Sequence, residues 1–142
     1  MSYAAGAALQ AAIYGVLVGD AELRSMVGDA IHDAEPDAPP DLYVALGAER
    51  VRPRGDATSS GAEHLLRIGV VTTRSSFSAA KAAAARVSTL LDGARPPLST
   101  GRLVDLRFRG ARAFRDRSAR TRRIDLTFRA RTDFAHTEGD GT

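Results

Sequence analysis

At 142 residues with no cysteine, the chain is one domain by length, and a disulfide framework or a thiolate-ligated zinc or iron–sulfur centre is excluded. Apolar residues make up 44% and charged residues 26%, the balance of a globular domain rather than a disordered one. The net charge of +3 hides an asymmetry: residues 1–50 carry two arginines against eight acids (−6), and residues 51–142 carry 18 basic residues against nine acids (+9). Such a chain suits a nucleic-acid surface, or the docking of one copy's acidic patch on a neighbour's basic patch.

Lys81 is the lone lysine among 20 basic residues, and arginine suits interfacial ion pairs because its planar fork pairs bidentately. No apolar run approaches the ~20 residues of a membrane helix. The first six residues lack the basic start of a signal peptide. The expected compartment is therefore cytosol-like, or an assembly built there, with no membrane partner.

In chain order, residues 4–18 predict a helix, because Ala8, Leu9, Ala12, Ile13, Val16 and Leu17 recur at three- and four-residue spacings. Asp20 is placed to cap a short second helix that stops at Gly28. Residues 33–41 hold Pro36, Pro39 and Pro40 among acids and read as a stiff exposed loop. Residues 42–51 predict a strand, 53–61 a long polar loop, and 63–73 a second strand with Leu66, Ile68 and Val70 on one face and Leu65, Arg67, Gly69 and Val71 on the other. Ser75 or Ser76 opens an alanine-rich helix through Leu91.

The last third predicts a hairpin. Val104, Leu106 and Phe108 alternate with Asp105, Arg107 and Arg109, and Ile124, Leu126, Phe128 and Ala130 alternate with Arg123, Asp125, Thr127, Arg129 and Arg131. Residues 114–120 form the polar connection between them. The order α-α-β-β-α-β-β implies an α+β two-layer sandwich, a four-stranded, mainly antiparallel sheet with two to three helices on one face. Residues 1–135 are expected to be a single domain and 136–142 a disordered tail.

Chemistry-bearing motifs are absent. His32, His64 and His136 have no metal spacing, and no phosphate-cradling loop or nucleophile elbow occurs. Neither a cofactor, a metal nor a catalytic group is expected. Asp33, Glu35, Asp37 and Asp41 lack the spacing of a calcium loop and read as a solvated acidic loop able to dock on a basic neighbour.

Residues 101–132 carry 11 arginines against three aspartates. That face has three readings: phosphate neutralisation, a sheet surface solvated by cross-strand Arg–Asp pairs, or burial against an acidic neighbour such as the 33–41 loop of another copy. Arg107, Arg109, Arg129 and Arg131, with Arg115 and Arg117 at the connection, are the candidate interface residues on the basic side. Asp33, Glu35, Asp37 and Asp41 are those on the acidic side.

The residues Leu9-Gln10-Ala11-Ala12-Ile13-Tyr14, Asp20-Ala21-Glu22-Leu23, Tyr43-Val44-Ala45-Leu46-Gly47, Gly101 to Phe108, Arg115-Asp116 and Phe128 to Thr132 follow one another in an order that resembles the tail completion, or tail terminator, family of long-tailed phages and gene transfer agents. The resemblance spans roughly residues 8–133. It implies a non-enzymatic structural protein of a virion or phage-like particle, assembled in the bacterial cytoplasm. Its implied form is a ring of six copies at the head–tail junction that caps the tail tube, stops its polymerisation and meets a head-side connector. The resemblance further implies that DNA passes through the lumen of that ring without sequence-specific binding. Two alternatives stand beside it: a stopper-like connector of another layer, and a small nucleic-acid-binding module using the arginine-rich hairpin.

Overall fold

The computed structural model describes residues 3–54 and 59–135. The elements are α1 (Gly6–Val18), α2 (Ala21–Val27), β1 (Ile31–His32), β2 (Leu42–Pro53), β3 (Ser59–Thr72), α3 (Ser78–Leu91), β4 (Arg102–Asp116) and β5 (Thr121–Ala135). The sheet order is β1-β2-β3-β5-β4. The four long strands pair antiparallel, and β1 runs parallel to β2 through Ile31 opposite Val44 and His32 opposite Ala45. This is the expected α+β sandwich, with one two-residue strand added at the edge. The tail expected over 136–142 and residues 55–58 of the expected polar loop lie outside the described residues. Flanking them, β2 runs on to Pro53 and β3 begins at Ser59.

Three helices cover one sheet face. Leu9, Ile13 and Leu17 of α1, Leu23 of α2, and Ala80, Ala83, Val87 and Leu91 of α3 pack on Val44, Ile68, Val70, Leu106, Ile124, Leu126 and Phe128 of the strands, all buried. Alanine dominates the inner face of α3, and small side chains let a helix sit close to a sheet. Asp20 caps α2 as its position predicts, with the Leu23 N–H donating to Oδ2 at 2.8 Å. The same carboxylate receives both Nε and Nη2 of Arg86 on α3, so one residue starts α2 and ties it to α3. Gly28 ends α2 at φ +63°, a conformation that favours glycine.

The face towards the helices also holds one polar chain. His64 is fully buried on β3, with Nδ1 2.8 Å from Glu49 Oε2 and Nε2 2.9 Å from the Thr132 hydroxyl, and the Tyr3 hydroxyl donates to Glu49 Oε1. Each ring nitrogen has a partner, the condition for burying an imidazole. His64 thus has a structural role, consistent with its lack of metal-ligand spacing.

Two departures from strict alternation occur in β4. Leu103 pairs with Thr132 and Asp105 with Arg131, and Phe108 pairs with Phe128 and Gly110 with Thr127, so Val104 and Arg109 are extra residues at bulges. Leu103 thereby takes the buried position expected of Val104. Phe108 shares a face with Phe128, as expected, and meets it edge-on with centroids 5.7 Å apart. It sits on the rim, 38% exposed, while Phe128 is fully buried. Residues 114–116, expected in the connection, continue β4 and leave a tight turn over 117–120.

Candidate interface on the outer sheet face

The sheet face away from the helices carries the charge. Its residues are set by register: Arg50 and Arg52 on β2, Glu63, Leu65, Arg67, Gly69 and Val71 on β3, Arg123, Asp125, Thr127, Arg129 and Arg131 on β5, and Asp105, Arg107 and Arg112 on β4. Arg107 stands opposite Arg129, and Arg131 lies between Asp105 and Glu63. Arg109, displaced by its bulge, lines the same hollow as Arg129. Arg107, Arg109, Arg129 and Arg131 are thus gathered on one face. Arg115 falls on the opposite face by register, across from Arg122, and Arg117 occupies the turn.

The face divides into two ends. At one end the acidic loop folds over the sheet. Arg123 lies flat across Gly69, where an added Cβ would come within 2.5 Å of its Nη2. Its Nε donates to Asp125 and its Nη2 to Glu35, at 2.7 and 2.8 Å, and the Tyr43 hydroxyl donates to the other Glu35 oxygen at 2.9 Å. Burial pushes the Glu35 carboxyl up, but the bonds from Arg123 and Tyr43 outweigh it and hold it below its ordinary value. Burial and the adjacent Glu35 carboxylate push the Tyr43 phenol up to about 12. Asp41 is held by Arg74, and its carbonyl accepts from the Thr72 hydroxyl.

The four acidic loop residues therefore separate. Glu35 and Asp41 anchor the loop to the sheet of their own chain. Asp33 and Asp37 are exposed, with no ion-pair partner among the described residues.

At the other end nothing covers the sheet. Glu63 is 8% exposed and binds Arg129 and Arg52. Those two hydrogen bonds pull its pKa down to about 2. Around this pair lie three contiguous hollows, and Leu65 forms a wall of each. Leu65 is 39% exposed although it sits on an inner strand, flanked by Arg50 across β2 and Arg129 across β5. Arg50, Arg67, Arg109 and Arg112 have no ion-pair partner among the described residues. The sequence pattern places Leu65 and Arg67 on the polar face of one strand. The sheet order β2-β3-β5-β4 gathers them with Arg50 of β2 and Arg109 of β4.

Among the described residues no cluster of histidine and carboxylates has metal-binding geometry, and no helix is long and apolar enough to cross a membrane. The imidazole, carboxylate and hydroxyl of His64, Glu49 and Thr132 lie in line, but His64 and Thr132 are sealed from solvent at 0% and 1% exposure. A substrate has no approach to them. What remains open on the outer face is a guanidinium-rich surface around Leu65.

The family model described as tail completion protein gp17 matches residues 11–133, and the chain belongs to that family. Among solved structures it is similar to a chain of the virion of a native gene transfer agent particle: 50% identity over 94% of this chain and 100% of that one, with a TM-score of 0.87. A comparison with curated proteins finds no match. The protein is a tail completion protein, a structural part of a phage-like virion and not an enzyme.

Proposed function

We propose that this chain is the tail terminator of a gene-transfer-agent-like particle. Six copies close into a ring on the head-proximal end of the tail tube. The ring halts tube polymerisation, offers its far surface to the head-side connector and leaves a lumen through which DNA passes without sequence-specific contacts. The observation that carries this reading is the half-identical match, over nearly the whole chain, to a component of a gene transfer agent virion.

Physical chemistry supports it. A ring needs a heterologous interface, one patch meeting a different patch on the next copy. This single chain keeps exposed carboxylates on the 33–41 loop and unpaired guanidiniums at the far end of the outer face. Of the other residues of the interface set, Arg107, Arg129 and Arg131 lie beside that open end, whereas Arg117 sits in the β4–β5 turn and Arg115 on the opposite sheet face.

Deleting the gene in a producing strain and imaging the particles tests the reading. The expected result is tubes of uncontrolled length and heads without tails, restored by the wild-type gene. Particles of normal length and delivery would overturn it. Filled heads beside correctly measured tails would instead assign the protein to a stopper-like connector layer.

A further inference from the structure

We propose that the open end of the outer face, centred on Leu65, is the seat of the proline-stiffened acidic loop of a second copy of this chain, with Asp33 and Asp37 entering the hollows that flank Leu65. The inference rests on the ring reading and deepens it by naming which surfaces meet.

The seat is built rather than merely charged. The first hollow, about 380 Å³, is lined by Arg50, Arg52, Arg109 and Arg129, and the largest, about 520 Å³, by Arg67, Arg109 and Arg112 among others. An apolar centre rimmed by arginine is the pattern of a protein–protein contact: the leucine loses water on docking while guanidiniums pair at the edge. Two of the rim arginines, Arg52 and Arg129, are locked on Glu63 and shape the first hollow. The unpaired Arg50, Arg67 and Arg109 are left to receive anions.

The occupant is supplied by the same sequence. Glu35 and Asp41 anchor the loop through Arg123 and Arg74, so Asp33 and Asp37 project from a support fixed near both ends. Pro36, Pro39 and Pro40 restrict the intervening backbone, so little conformational freedom is lost on docking. Donor and acceptor patches occupy different parts of one molecule, so each copy uses both at once and the contact propagates around a ring. A DNA duplex fits the seat less well. Its phosphates would lie against the leucine, which a polyphosphate backbone cannot desolvate as an apolar loop contact can.

The test is sedimentation velocity on the full chain and its variants Arg109→Asp, Asp37→Arg, Leu65→Asp and the Arg109→Asp/Asp37→Arg double variant. Thermal melting confirms that each folds. Wild type is expected to form a closed oligomer. Each single variant should dissociate at concentrations about tenfold or more above the wild-type limit, and the double variant should reassemble because the opposite charges face each other again.

Single variants that assemble like wild type, or a double variant that stays dissociated, would overturn the proposal while leaving the ring intact. A wild-type chain that is monomeric at every concentration would overturn the ring reading and this one together. Retardation of a labelled duplex by wild type, lost in Arg109→Asp and kept in Asp37→Arg, would assign the face to DNA and overturn the proposal.

Discussion

At one end of the outer sheet face Arg123 lies across Gly69, with Asp125 and Glu35 on its nitrogens and Tyr43 behind Glu35. At the other end Arg50, Arg67 and Arg109 surround Leu65 and meet no carboxylate in an ion pair among the described residues. Both ends combine arginines with apolar side chains on the same three strands. The difference is the loop: where residues 33–41 fold over the sheet, the charges are paired and part of the fold. Where the loop does not reach, Arg52 and Arg129 pair with Glu63 and the remaining guanidiniums are displayed. An arginine count alone does not separate an arginine paired within its own fold from one displayed to solvent. The position of the nearest carboxylate in the folded chain does.

The comparison breaks most visibly if the shared core beneath it is damaged. Phe128 stands beside its cross-strand partner Leu66 and is fully buried, so Phe128→Ala should lower unfolding free energy by roughly 3–5 kcal/mol, read as a shift in denaturant midpoint. Both ends would be lost together. Phe108, with more than a third of its surface exposed, should cost about 1 kcal/mol when cut to alanine, since it forfeits a partial burial and one edge-on ring contact. An equal loss in the two variants would show that the rim assignment is wrong.

A smaller and more selective effect belongs to the closed end. Gly69→Ala pushes Arg123 off its seat and should destabilise the chain by about 1–3 kcal/mol, with increased proteolysis within residues 33–41. The open-end substitution Arg67→Ala should change stability by less than about 0.5 kcal/mol while weakening assembly. If Arg67→Ala melts the fold as Gly69→Ala does, the two ends are not different in kind.

Acid sharpens the contrast further. Asp20 and Glu63 both have folded pKa values of about 2, below their ordinary values of 3.8 and 4.5. Their contribution is therefore complete above pH 4.5 and drains away as pH falls toward 2. Stability measured by urea titration should decline over that window. The Glu63→Gln variant should show a shallower decline than wild type.

Much of this molecule is legible before folding. The period-two strands, the Asp20 cap and the alanine-rich helix follow from local chemistry, and each occurs within a few residues of its expected bounds. What escapes has a physical reason. Ile31–His32 is too short to carry an alternating pattern, and it becomes a strand only because β2 offers it an edge. The bulges at Val104 and Arg109 coincide with breaks in the alternation, Leu103-Val104 and Gly110-Ala111, that a period-two reading passes over. Helix α3 begins one residue later than a serine cap would set it: Phe77 holds the cap position, and Ser76 accepts from the Ser78 N–H instead. The open end is the least legible part. Arg50, Leu65 and Arg109 come from three strands separated by a helix and two loops, and the crossing from β3 to β5 that unites them is a property of topology.

The row of side chains from Thr132 through His64 and Glu49 to Tyr3 has a mechanical meaning. It runs across β5, β3 and β2 and then to the segment before α1, at right angles to the strands. A force drawing the first and last described stretches apart along the strands loads these bonds and the backbone ladders in shear, many at once, instead of peeling them singly. A structural part of a virion gains resistance to rupture from such a cross-stitch.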